Sequence, residues 1–153
     1  SKCRAVCVCG FGFGALLAAA HAAASPVTAL VLWRPVVDGR AYCVRLREDH
    51  RAWLRGSFVK ARAVDKRLQA LGFVASRALQ GEMARMKLDA LARCQARRVL
   101  AVAPPDARSS SRAVEHFSRL GCLVESCVLP DGVIPLRPIR AASAWLAETE
   151  AVD

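Results

Sequence analysis

The sequence predicts an α/β fold: a mostly parallel sheet flanked by helices, with a helical cap insertion. Three observations predict it. Uncharged, partly β-branched runs recur along the chain, separated by helix-length segments, as in βαβ units. The first such run passes directly into a glycine-rich turn and then an Ala- and Leu-rich stretch, the βα corner at which α/β folds place their chemistry. Hydrophobic residues make up 54% of the 153 residues, enough for one sizeable core and too many for a disordered chain.

Each element can be justified in order. Ala5-Val6-Cys7-Val8-Cys9 reads as a buried parallel strand, and such strands are normally central in a sheet. Ala15 to Ala24 is a helix of strong helix formers, ended by Ser25-Pro26. Val27 to Trp33 is the second buried strand, stopped by Arg34-Pro35, and one helix between the two makes a right-handed βαβ unit. Asp38 or Gly39 can cap the helix Arg40 to Arg55, whose Tyr42, Leu46 and Trp53 share a face. Val59 to Leu71 reads as a second amphipathic, basic segment closed by Gly72. Ser76 opens a third helix, in which Leu79, Met83, Met86 and Leu91 recur at helical spacing as core filling. Arg98 to Ala103 is the third strand, halted by Pro104-Pro105. Ser109-Ser110-Ser111 opens a helix to Leu120, and Cys122 to Leu129 is the fourth strand. Pro138 starts a last helix, Ile139 to Glu148, with Trp145 turned inward.

The corner at Gly10-Phe11-Gly12-Phe13-Gly14 allows two chemistries. A nucleophile elbow, Gly-x-Ser-x-Gly, needs flanking glycines at a tight turn and thrusts its central residue out at the strand tip. Gly10 and Gly14 fit the flanks, but the centre is Gly12, which has no side chain to attack with. A dinucleotide fingerprint, Gly-x-Gly-x-x-Gly/Ala, holds a pyrophosphate on backbone N–H groups, and Gly10, Gly12 and Ala15 fit it literally. Arg34, at the end of the second strand, could then meet a 2′-phosphate. A third reading is a glycine-rich turn that holds nothing.

Net charge is +10, yet the arginines are scattered over several helices and aromatics are 6%, with none interleaving the basic runs. No nucleic-acid partner is expected. The seven cysteines are odd in number and form no CxxC pair, so no metal site is expected. Cys3, Cys7 and Cys9 share parity on one strand and read as small core hydrophobes, and a reducing cytoplasm suits them. Ala5 to Trp33 carries no charge, but its glycines, His21 and Ser25-Pro26 interrupt it, so no membrane span is expected. The opening on Ser1, with a core-type strand almost at once, implies that an N-terminal portion precedes it.

The block Leu30-Val31-Leu32-Trp33-Arg34-Pro35-Val36-Val37-Asp38-Gly39-Arg40-Ala41-Tyr42 resembles the α/β-hydrolase family, in particular the serine aminopeptidase-like hydrolases associated with exosortase A systems. Leu71-Gly72-Phe73 with Ser76 is similar to that branch's cap segment. The resemblance implies one domain over 1–153, the C-terminal half of the fold, with 38–95 as helical cap. It implies a Ser, Asp, His order along the chain. Carried over, the nucleophile falls on Gly12, the acid on Asp106, and one oxyanion-hole N–H on Phe13. The triad histidine should fall between about Pro130 and Arg140, where none occurs; His21, His50 and His116 are all elsewhere. The expectation is therefore a hydrolase-like protein impaired in catalysis, needing no cofactor and binding a small acyl or glycosyl compound. A hydrolase with a displaced triad and a nucleotide-binding domain are the competing readings.

Overall fold

The computed structural model describes residues 5–57, 68–70, 73–104 and 107–128, together with Trp145. In chain order the elements are β1 (Cys7–Phe11), α1 (Phe13–Ala24), β2 (Val27–Trp33), α2 (Gly39–Gly56), β3 (Leu68–Ala70), β4 (Phe73–Ala75), α3 (Arg77–Arg85), a 3-10 turn (Leu88–Ala90), β5 (Ala96–Ala103), α4 (Arg108–Arg119) and β6 (Leu123–Val128). They fall into two compact units, Ser1–Val37 with Leu88–Asp153, and Asp38–Lys87.

The first unit is a mixed α/β structure. Its sheet has the order β1-β2-β5-β6, and every pair is parallel. β2 and β5 are central, and their charge-poor cores, Val27 to Leu32 and Val99 to Ala103, are almost wholly buried. Burial on both faces explains why these runs are continuous in hydrophobicity and do not alternate. α1 packs on β1 and β2, α4 on β5 and β6, and both helices touch the 3-10 turn. They therefore cover the same sheet face, as right-handed crossovers in a sheet grown in one direction require.

On the other face Trp145 packs over Ala29, Val31, Leu100 and Val102 and is only 5% exposed, inward as expected. The rest of its expected helix lies outside the described residues. Trp145 Nε1 donates to Glu125 Oε1 at 2.7 Å, Arg98 Nη2 donates to the same oxygen at 2.6 Å, and the Arg98 guanidinium lies 4.6 Å from the Trp145 ring centroid. These two hydrogen bonds, from Arg98 and then Trp145, hold the Glu125 carboxyl below its ordinary value.

β1 departs from expectation. Among the described residues it pairs with β2 alone, and Cys7, Cys9 and Phe11 are exposed, Phe11 by 66%. The register Cys7↔Ala29, Cys9↔Val31, Phe11↔Trp33 puts all three on the face that Trp145 covers further along. Cys7 and Cys9 do not pack as core hydrophobes because they sit at the end of that row. The surrounding sheet still desolvates both thiols and pushes them up.

In the second unit, α2 starts where Asp38 caps it: the carboxylate accepts from Ala41 N at 2.9 Å. Ser76 Oγ accepts from Leu79 N at 3.1 Å and caps α3 in the same way. α2 buries Gly39 and Cys43, with Leu46, His50 and Leu54 half-buried along the same face. Trp53 is 46% exposed and stacks on His50. The segment read as helical up to Leu71 ends instead in a strand: β3 pairs antiparallel with β4, in the register Leu68↔Ala75. Pairing with a partner strand overrides the weak local helix preference there. Residues 58–67, the body of that expected helix, lie outside the described residues. Among the described residues no helix is long and apolar enough to cross a membrane.

Candidate functional site

The corner between β1 and α1 is a single residue wide. Phe11 ends the strand, Phe13 begins the helix, and Gly12 alone makes the turn at φ 58°, ψ −120°. That is a sharp strand-to-helix return, at dihedral angles that would strain any residue but glycine, of the kind at which an elbow presents its central residue. The three glycines have three different reasons to be there. A Cβ on Gly10 would run into the carbonyl group of Gly14 and stand 2.6 Å from Ala15 Cα. Gly10 is therefore demanded by the close return of the helix on the strand. Gly12 is demanded by its positive φ, yet a Cβ there would meet no atom within 4 Å. A side chain at position 12 would project into open space. Gly14 meets neither constraint: it has open space and ordinary helical φ, so the expectation that both flanking glycines are needed holds at Gly10 only.

The loop after β2 fixes the corner. Gly12 N donates to Trp33 O at 2.8 Å, while Gly12 O accepts from Val36 N and from Ala15 N, each at 3.2 Å. Nothing in the sequence pattern marks Trp33 and Val36 as supports of position 12. Arg34 lies between them, exposed, at φ 47°, and its N donates to Val102 O at 2.6 Å. Gly12 and Arg34 thus share the carboxyl end of the sheet, where open α/β sheets bind ligands. The N–H group of Gly12, at the position where a dinucleotide fingerprint brings the backbone to the pyrophosphate, is engaged inside the protein.

Asp106 lies outside the described residues. Its neighbours Pro104 and Ala107 stand at the end of β5 and the start of α4, joined by Ala107 N donating to Pro104 O at 3.2 Å. His21 and His116 are placed away from the corner. His21 and His116 lie in the last turns of α1 and α4. Both helices begin at the carboxyl end of the sheet, so eight residues later each histidine has moved about 12 Å toward the amino end. His116 is 5% exposed, edge-on to Phe117, and its Nε2 has no partner among the described residues. His50 belongs to the second unit and stacks on Trp53 at 5.8 Å. Among the described residues no three His, Cys, Asp or Glu side chains come together as a metal site requires.

A cleft of about 850 Å³ runs along α4 and β6, lined by residues including Ala103, Pro104, Ser110, Ser111, Ser126 and Val128. Gly12 does not line it, since β2 and β5 intervene in the strand order. No family model, curated relative or solved structure matches the chain.

Proposed function

We propose that the chain is an α/β-hydrolase-type domain whose nucleophile position is vacated, and that it binds a small acyl or glycosyl compound at the corner without cleaving it. The observation that carries this reading is Gly12. It holds a sharp strand-to-helix turn at φ 58°, buttressed on both its N–H and its carbonyl, and a Cβ there would meet no atom within 4 Å. A turn of this shape presents a nucleophile when the central residue has an oxygen or sulfur. Here that atom is missing, and His21 and His116 lie toward the other end of the sheet, out of reach as a base. The engaged N–H group of Gly12 weighs against the nucleotide reading with Gly10, Gly12, Ala15 and Arg34.

The test has two arms on the full chain. Short p-nitrophenyl esters should show no turnover above buffer, and a fluorophosphonate probe should label no residue. Short acyl esters and acylated sugars should shift the melting temperature or the tryptophan fluorescence saturably. Turnover of any ester would overturn the vacated-site reading. A shift with NADPH, and none with acyl compounds, would replace it by the nucleotide reading.

A further inference from the structure

β1 stands at one end of the sheet order, and its outer edge is an open ladder. Val6 O accepts from Thr28 N and Ala29 N at 2.8 and 3.3 Å, and Gly12 N donates to Trp33 O at 2.8 Å. In a parallel pair alternate residues of a strand bond to its neighbour, so Val8 and Gly10, between those two, also turn their backbone groups to β2. Cys7, Cys9 and Phe11 therefore turn their N–H and C=O groups away from β2, and among the described residues no strand lies on that side. Their side chains are exposed on the face that Trp145 covers further along, and Val6 is exposed as well. Natural edge strands are blunted by charges, proline or bulges. β1 has no charge and no proline, and its register with β2 is unbroken. β6, at the other end of the sheet order, carries Glu125. The uncharged character extends beyond β1: Ala5 to Trp33, which spans β1, α1 and β2, has no Asp, Glu, Lys or Arg in a chain of net charge +10.

We propose that the chain forms a two-fold dimer by antiparallel pairing of β1 with β1 of a second copy, which joins the two sheets into one. Charge favours a second copy here: two molecules of net charge +10 meet with least repulsion along an edge that carries no charge. The edge is also self-complementary. A two-fold axis at Cys9 sets Cys9 opposite Cys9 and Cys7 opposite Phe11, and about six N–H···O bonds can then close across it. Opposed residues share one face, so the large Phe11 ring lies beside the small Cys7. The row that runs from Ala29 and Val31 to Cys7 and Cys9 thereby continues into the second copy. α1 packs on both β1 and β2, about one strand spacing from the axis. The two copies of α1 therefore stand about 10 Å apart, the separation of packed helices. α1 has no charged residue to oppose its counterpart, and its Leu17 is half exposed. An isologous contact of this kind closes at two copies.

The full chain, kept reduced, is sedimented over about a hundredfold range of concentration and should show a monomer–dimer equilibrium with no larger species. Oxidation with copper phenanthroline, digestion and mass mapping should then give a Cys9–Cys9 disulfide, a product that needs two chains. Opposed Cα atoms about 5.5 Å apart lie within disulfide reach. Cys7, set opposite Phe11, should not link to its own counterpart. Cys9→Pro removes an N–H that the ladder with β2 does not use, and should raise the dimer dissociation constant about ten-fold or more. Cys9→Lys opposes like charges at the axis and should weaken the dimer in the same direction. Leu123→Lys, exposed on β6, should leave it unchanged. Circular dichroism checks that each variant is folded. A monomer at every concentration, open-ended larger species, or equal yields of Cys7 and Cys9 links would overturn the proposal. So would a dimer that Leu123→Lys disrupts and a folded Cys9→Lys does not. None of these readouts involves a ligand at the corner.

Discussion

Replacing the glycines of the corner one at a time separates three physical demands that look identical in sequence. Gly12→Ser puts a hydroxyl where a Cβ meets nothing within 4 Å, so it adds no clash, and its cost is the backbone alone. A non-glycine residue held at φ 58°, ψ −120° should lose about 1–3 kcal/mol. For a chain of this size that lowers the melting temperature by roughly 2–4 °C per kcal/mol. Gly10→Ala pushes a methyl into the Gly14 carbonyl and against Ala15 Cα, which are backbone atoms that cannot rotate away. It should cost about 3 kcal/mol or more. Gly14→Ala adds a methyl to a helix in open space and should gain about 0.5–1 kcal/mol. Thermal melts followed by circular dichroism rank the three. A Gly12→Ser variant as stable as Gly14→Ala, or as damaged as Gly10→Ala, would refute the geometry assigned to the corner. The same Gly12→Ser protein should remain unlabelled by a fluorophosphonate, because neither His21 nor His116 stands near enough to take its proton.

Other consequences follow from the packing and the caps. Asp38→Ala removes the oxygen that Ala41 N donates to and should destabilise by about 1 kcal/mol in a urea titration, with Asp38→Asn retaining most of it. Glu125 has its carboxyl lowered by Arg98 and Trp145, so it stabilises the fold above its ordinary value, and that contribution is lost as pH falls through the lowered one. Glu125→Gln should flatten the acid limb of a stability–pH profile, and an unchanged limb would remove the carboxylate from the account. His116→Leu replaces a buried ring whose Nε2 is without a partner among the described residues, and melts should show a change within about 1 kcal/mol or a gain. A loss of several kcal/mol there would mean that the imidazole is satisfied.

What was legible depended on whether the information was local. β2 and β5 could be read because a strand buried on both faces must be uncharged over its whole length, and Pro35 and Pro104 mark their ends. Asp38 and Ser76 could be read as caps because capping involves atoms only three residues apart. The position of β1 in the sheet was not legible. Its residues have the composition of a central strand, but centrality is set by which strands flank it, and Cys7, Cys9 and Phe11 lie where the row ends. Likewise Leu68 to Ala70 carries no signal for a strand beyond having Phe73 to Ala75 opposite it. The equal spacing of Gly10, Gly12 and Gly14 hid the fact that one answers a close contact, one a dihedral angle, and one neither.

On the proposed reading of the corner as a vacated elbow, the conformation of Gly12 bears on why its shape persists. In a working elbow the central residue carries a side chain at a positive φ, and the strain of about 1–3 kcal/mol is borne by the rest of the fold. Glycine adopts the same dihedral angles without that penalty. A corner with Gly12 is therefore more stable than the same corner with serine, while the hydrogen bonds from Gly12 N to Trp33 O and from Val36 N to Gly12 O remain as they are. On the proposed reading, losing the nucleophile relieves strain and leaves the shape. On that reading, glycine at position 12 removes turnover and keeps the backbone of the turn at the carboxyl end of the sheet, the combination expected of a binding protein.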